Sequence, residues 1–188
     1  MSKSFLGQAW LVLVLGMIFG ASLAGMQAMV AERIALNKLN ETLSQVPVLV
    51  PEADSGEKTS VGETTVYKAL KGGKIVGWVV PGSGQGFADK IEILVGCDAQ
   101  ARIVTGLYVL DQKETPGLGN KIVDDEWRSQ YEGKATDVTL EVVKRDVAAP
   151  QEIRSVTGAT ISSVAVSEIV NAALNETLRA ELARAAGE

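Results

Sequence analysis

The sequence has no histidine and a single cysteine, Cys97. The first absence removes imidazole general bases, Ser-His nucleophile pairs and every His-ligated metal or haem site. The second excludes an intramolecular disulfide and any cysteine cluster for zinc or iron–sulfur, so no metal site is expected. Aromatics make up only 5% of the 188 residues. A basic excess is also missing: 18 Lys and Arg stand against 23 Asp and Glu, a formal net charge of −5. A nucleic-acid protein would show a basic face, and no nucleic-acid partner is expected. Carboxylates, hydroxyls, backbone amides or a borrowed cofactor remain as sources of chemistry. The length allows one domain with an appendage, and a 46% hydrophobic share suffices for a core.

Charge is absent altogether from Ser4 to Ala31. The core of that run, AWLVLVLGMIFGASLAGMQAMVA from Ala9 to Ala31, exceeds the roughly 20 apolar residues that a helix needs to cross hydrocarbon. A cleaved signal peptide has a shorter apolar stretch, about 7–15 residues, and a small-x-small site. Ser22-Leu23-Ala24 offers such a site, but the length favours a retained anchor. Residues 1–31 are therefore expected to form a short cytoplasmic stub and a transmembrane helix surrounded by membrane lipid. Lys3 before the span, and Arg33 and Lys38 mixed with Glu32 and Glu41 after it, do not decide its orientation by positive-inside counting. The spacing Gly16-x-x-x-Gly20-x-x-x-Ala24 suits close approach of another helix, yet small residues are common in membrane helices anyway.

Residues 32–52 read as a helical stalk and linker. Ile34, Leu39 and Leu43 fall roughly on one side, and Pro47 and Pro51 close the helix. The stretch PEADSGEKTSVGE reads as a surface loop. Residues 53–188 are then expected to form one domain. Thr64–Leu70 and Lys74–Val80 read as a hairpin around Gly72-Gly73. Gly82–Phe87 reads as a glycine-rich loop. Lys90–Val95 and Arg102–Leu110 are two more strands around Gly96–Ala99, and Thr136–Val143 alternates again. Asn120–Tyr131 and Ile161–Ala186 carry helical spacing. Closely spaced strands followed by a terminal helix predict an α+β domain with a mainly antiparallel sheet.

Two short segments hold the polar residues best placed for chemistry. Ser155-Val-Thr-Gly-Ala-Thr-Ile-Ser-Ser163 precedes the last helix, where orphan N–H groups and the macrodipole attract an anion. An ordinary polar N-cap explains the same residues. Glu114-Thr-Pro-Gly-Leu-Gly119 lies between a strand and a helix. Its glycines and proline suit a tight turn that a flat ligand could approach, or a plain connector.

ETPGLG at 114–119 followed by TGAT at 157–160 and Ser162-Ser163 resembles the FMN-binding domain shared by the Rnf-type G subunit and the Nqr-type C subunit of membrane redox complexes. The resemblance covers most of the chain, and its short length is more similar to the Rnf-type protein. It implies FMN joined by a phosphoester to Thr160, one per chain, installed by a separate flavin transferase. Thr157, Gly158, Ala159, Ser162 and Ser163 would surround the phosphate. Glu114, Thr115, Gly117, Leu118 and Gly119 would lie near the flavin ring. Lys121, Trp127 and the Gly84–Phe87 segment are lesser candidates. Two positions depart from the family pattern: Arg154 stands where an acidic residue is usual, and Gln112 where a histidine is frequent.

The resemblance further implies an electron-relaying subunit of an ion-translocating ferredoxin:NAD oxidoreductase, with no catalytic residues and little turnover alone. Its partners would be the other membrane subunits, in the cell inner membrane, with the domain on the periplasmic side. Glu114 beside the ring would lower the flavin's potential by Coulomb repulsion. The alternatives are the Nqr-type C subunit of a sodium-translocating quinone reductase, or a non-catalytic anchored binding or structural module.

Overall fold

The computed structural model describes residues 3–187, with side chains from residue 9 onward. Met1 and Ser2 of the expected stub, and the side chain of Lys3, lie outside the described residues. The chain divides into two compact units, up to Glu41 and from Thr42 on.

The first unit belongs to a single helix, α1 (Lys3–Leu49). Its apolar part reaches a mean hydropathy of 2.1 with none of that window buried, and it is long enough to cross a membrane. Leucine, methionine and alanine sustain the helix at little cost in rotamer freedom. Pro47 does not stop it but sits within the last turn. There Val50 N still reaches Val46 O at 2.9 Å, so the helix closes one turn beyond the ring.

In the second unit, five antiparallel strands run in sequence order: β1 (Ser55–Val61), β2 (Thr64–Lys71), β3 (Lys74–Gln85), β4 (Lys90–Asp98) and β5 (Val104–Asp111). The domain is α+β, as its pattern predicts. Short helices follow: a 3-10 turn at Gly119–Val123, α2 (Asp125–Arg128) and a second 3-10 turn at Ser129–Tyr131. The parallel pair β6 (Glu141–Val143) and β7 (Glu152–Arg154) leads to α3 (Thr160–Ala173) and α4 (Glu176–Ala185).

Several elements differ from their sequence reading. The expected surface loop contains β1, an edge strand whose residues are exposed or half-buried, so it lacks a strong alternation of apolar side chains. Gly82–Gln85 is the end of β3 rather than a loop. Its glycines make room for α3, since a Cβ at Gly82 or at Gly84 would stand 2.7 Å from Ile169. Asn120–Tyr131 is broken into three short turns, and of Thr136–Val143 only the last three residues are a strand. The closing helix splits at Leu174-Asn175, where the Asn175 side chain caps α4 by accepting from Leu178 N at 3.0 Å.

Both faces of the sheet are covered. On one, Trp78, Val80, Ile93 and Val95 pack with Val166, Ile169 and Val170 of α3. Successive side chains of a strand alternate in direction, so Gly77 and Val79 look the other way. There the end of α1 fits a row of glycines. A Cβ at Gly56 would stand 2.8 Å from Val46, one at Gly77 2.8 Å from Val50, and one at Gly96 2.6 Å from Leu49 O. Thr105 Oγ1 donates to Leu49 O at 2.6 Å and fastens the junction. The last turns of α1, read as stalk and linker, therefore pack within the unit that begins at Thr42.

Candidate functional site

At the end of β5 the chain leaves the sheet and turns sharply. Glu114 N donates to the Gln112 side chain at 2.6 Å, and Leu118 N to Thr115 O at 3.1 Å. Gly117 adopts φ +77° and donates its N–H to Asn120 Oδ1 at 2.6 Å. A left-handed residue is needed there, and glycine supplies it without steric cost.

The second segment crosses nearby. Ser155 N joins Val143 O at 2.8 Å, and the chain reverses at Gly158, φ +82°. Helix α3 opens at Thr160, after Ala159, which offers no side-chain cap. The amides of its first turn have no intrahelical acceptors. Thr160 itself is half-buried.

Between these segments lies a cleft of about 1540 Å³. Of the expected site residues, Glu114, Thr115, Leu118, Gly119, Thr157, Gly158, Ala159, Thr160 and Ser162 line it. Gly117 lies in the turn and is not part of the wall, and neither is Ser163. The two serines expected near a phosphate are committed elsewhere. Ser163 Oγ accepts from Val156 N and donates to Ala159 O, both at 3.0 Å, and is fully buried. Ser162 Oγ donates to Glu114 Oε2 at 2.5 Å. Phe87, Lys121 and Trp127 also line the cleft. Trp127 is buried, packs edge-on against Tyr131 at 5.3 Å and donates to Arg154 O at 2.8 Å.

One wall was not anticipated: Lys144, Arg145, Asp146 and Val147, before β7. Glu152 holds it. Arg145 Nη1 donates to Glu152 Oε2 at 2.9 Å and Nη2 donates to Oε1, while Ala148 N donates at 2.8 Å. The Arg145 guanidinium and these backbone N–H groups lower the Glu152 carboxyl from 4.5 to about 2. Arg154 faces the same cleft and pairs with Asp146 at 3.3 Å. The only sequence signal for this wall was its run of charges, which commonly marks a plain solvated face.

Other reactive groups lie away from redox use. Burial pushes the Cys97 thiol up to about 12 and raises the Tyr131 phenol, so neither is an accessible nucleophile. Among the described residues no group of His, Cys, Asp and Glu could hold a metal.

Residues 86–175 match the family model of the FMN-binding domain. The chain is 36% identical over 129 residues to the G subunit of the proton-translocating ferredoxin:NAD(+) oxidoreductase complex of Clostridium ljungdahlii. That alignment covers 69% of this chain and 68% of the relative. The chain belongs to this family of FMN-binding G subunits. The G subunit of the Na(+)-translocating complex of Acetobacterium woodii is 37% identical over 108 residues, 56% of this chain and 51% of that one. The chain thus spans between half and about two thirds of these relatives' lengths. The crystal structure of NqrC from Shewanella oneidensis shares the fold, with a TM-score of 0.59 at 23% identity over 66% of this chain and 61% of that one.

The residues of this FMN-binding domain fit FMN. The cleft is larger than the roughly 300–1,000 Å³ typical of small-ligand sites. Leu118, Ile161 and Phe87 are exposed along it, as a flat aromatic ring requires. Thr160 offers a hydroxyl beside the uncapped amides that suit a phosphate.

Proposed function

We propose that this chain is the membrane-anchored, FMN-carrying member of an Rnf-type ferredoxin:NAD oxidoreductase complex, its G subunit, and that it relays electrons between its neighbouring subunits. The observation that carries this reading is the position of Thr160. It combines an accessible hydroxyl, a helix start without a side-chain cap and a cleft wide enough for a flavin. FMN supplies the redox chemistry. In this reading Thr160 Oγ would hold FMN as a phosphoester: it would give up its proton and bond to the FMN phosphorus while a flavin transferase breaks the pyrophosphate bond of a flavin dinucleotide, whose nucleoside monophosphate leaves. Gly158 lets the backbone come close to the phosphate, and the first amides of α3 hold its remaining charge. Leu118 and Ile161 cover apolar ring surface. Lacking a histidine or an accessible thiol, the chain depends on the transferase for the ligation.

In this reading the long apolar helix is a single span of the inner membrane, the domain lies on the periplasmic side and the other complex subunits are the partners. Higher identity to Rnf-type relatives favours this reading over an Nqr-type C subunit, to which the solved structure adds fold alone.

The test is production of the full chain beside its native transferase. Intact mass and in-gel fluorescence after denaturation are expected to show one FMN per chain, lost entirely in Thr160→Ala. A wild-type chain of unmodified mass overturns the covalent relay and leaves an anchored structural module.

A further inference from the structure

Glu114 lies on the wall of the cleft, yet it is only 4% exposed, and both carboxylate oxygens are taken by the protein itself. Oε1 accepts from Ala88 N at 3.0 Å. Oε2 accepts from Ser162 Oγ at 2.5 Å. Ala88 sits in the turn between β3 and β4, and Ser162 in the first turn of α3. One side chain therefore ties together three segments that are far apart in sequence and meet at the cleft.

The surroundings are shaped for this contact. A Cβ at Gly86 would stand 2.4 Å from Glu114 Oε1. One at Gly119 would stand 2.7 Å from Oε2 and 2.8 Å from Ser162 Oγ. Neither glycine has a positive φ. Their missing side chains serve the approach of the carboxylate rather than an unusual backbone.

The start of α3 needs such a fastening. Ala159 provides no side-chain cap. Ser163 secures the turn only to its own neighbours, Val156 and Ala159. Ser162, two positions after Thr160, is the residue of that turn whose side chain reaches the opposite segment.

We propose that Glu114 is a positioning residue that acts through Ser162. It fixes the first turn of α3, and with it the Thr160 hydroxyl and the neighbouring amides, in the geometry that receives the FMN phosphate. The ligand in this statement rests on the function proposed above; the brace itself is a property of the chain alone.

The conservative variant separates shape from charge. In Glu114→Gln the carbonyl can accept from Ala88 N, and the amide can donate to the Ser162 hydroxyl, which is able to accept. Glu114→Ala loses both bonds, and Ser162→Ala loses one. Each variant is made in the full chain and measured twice. Amide hydrogen exchange is followed without flavin, and FMN per chain after production with the transferase. Exchange of the two hydrogen-bonded amides of that turn, Ala159 N to Val156 O and Ser163 N to Ala159 O, is expected to rise about tenfold or more in Glu114→Ala and Ser162→Ala, with residues 64–80 unchanged and the Gln variant like wild type. Loading is expected to fall about tenfold in the two alanine variants and to stay within about twofold of wild type in Glu114→Gln.

Wild-type exchange and loading in Ser162→Ala overturn the proposal, as does a Gln variant as defective as Glu114→Ala. If Glu114→Ala fails to fold, Ser162→Ala, which removes a single hydroxyl, decides the matter. A wild-type chain that carries no FMN sinks the relay reading instead, while the exchange measurement still judges the brace.

Discussion

Glu114 and Glu152 are both buried carboxylates, but different partners set them to different work. Glu152 faces a guanidinium and two backbone amides, which hold its carboxyl at about 2 against an ordinary 4.5. A depressed carboxylate contributes stability that is present above its unfolded value and is lost as pH falls toward its folded value. The wall at 144–147 is therefore expected to loosen between pH 4.5 and about 2. Acid unfolding followed by tryptophan fluorescence should show this component in wild type and not in Glu152→Gln. An identical acid profile in the two proteins would falsify the assignment. Glu114 meets uncharged donors instead, the Ala88 amide and the Ser162 hydroxyl. In the function proposed above, its negative charge would lie beside the flavin and oppose reduction. Glu114→Gln, which can keep both hydrogen bonds, should raise the midpoint potential, and an unchanged or lowered value would show that the charge does not act on the ring. The motif residues Glu114 and Thr160 were legible because each belongs to a short local pattern. The bond between Glu114 and Ser162 was not, since its partners lie 48 positions apart and neither shows its direction in the sequence.

At the level of elements, the glycines show why a pattern of residues can mislead. Gly82, Gly84 and Gly86 resemble a flexible loop, yet the first two end a strand against Ile169 and the third admits a carboxylate. Gly96 lies in β4, where a turn was expected, and the end of α1 crosses it. Composition reports that a side chain is missing, not which neighbour takes the space. The central hairpins were legible because one face of each strand is buried and the alternation is strong. β1 was not, because an edge strand holds its place by backbone bonds to β2 and, apart from Gly56 and Val61, shows polar residues. The crossing at Gly96 can be tested directly. A Cβ there would meet Leu49 O at 2.6 Å and Thr105 Oγ1 at 2.8 Å, the same pair that forms the junction's hydrogen bond. Backbone cannot move aside as a flexible side chain does. Gly96→Ala is expected to cost about 1–3 kcal/mol, as overpacking of a closed site does. Denaturant unfolding of the purified protein measures it, and a loss below about 0.5 kcal/mol, the size of an ordinary surface change, would mean that α1 does not seat there.

The whole molecule joins a lipid-suited helix to a folded domain through residues that belong to that domain. An anchored cofactor gains effective concentration near membrane partners, provided that the attachment holds. Here the attachment is packed: Val46, Leu49 and Val50 are buried, and Thr105 bonds to Leu49 O. The apolar span and the order of the two motifs were legible, because each is continuous in the chain. The inward boundary of the domain was not, because the stripe Thr42, Val46, Leu49 and Val50 reads equally well as one side of a free stalk. Two truncated chains distinguish these readings. One that begins at Thr42 keeps the stripe over the sheet and is expected to unfold cooperatively. One that begins at Ser55 uncovers Ala69, Val79 and Leu94, which are buried in the full chain. It also gives up three apolar side chains worth about 1.5–3 kcal/mol each when fully buried. Against a typical domain stability of about 5–15 kcal/mol, that loss should leave the shorter chain partly unfolded or with a sharply lowered melting temperature. Equal melting temperatures for the two chains would mean that the end of α1 rests on the sheet without stabilising it, and the helix would then be a tether rather than a part of the fold.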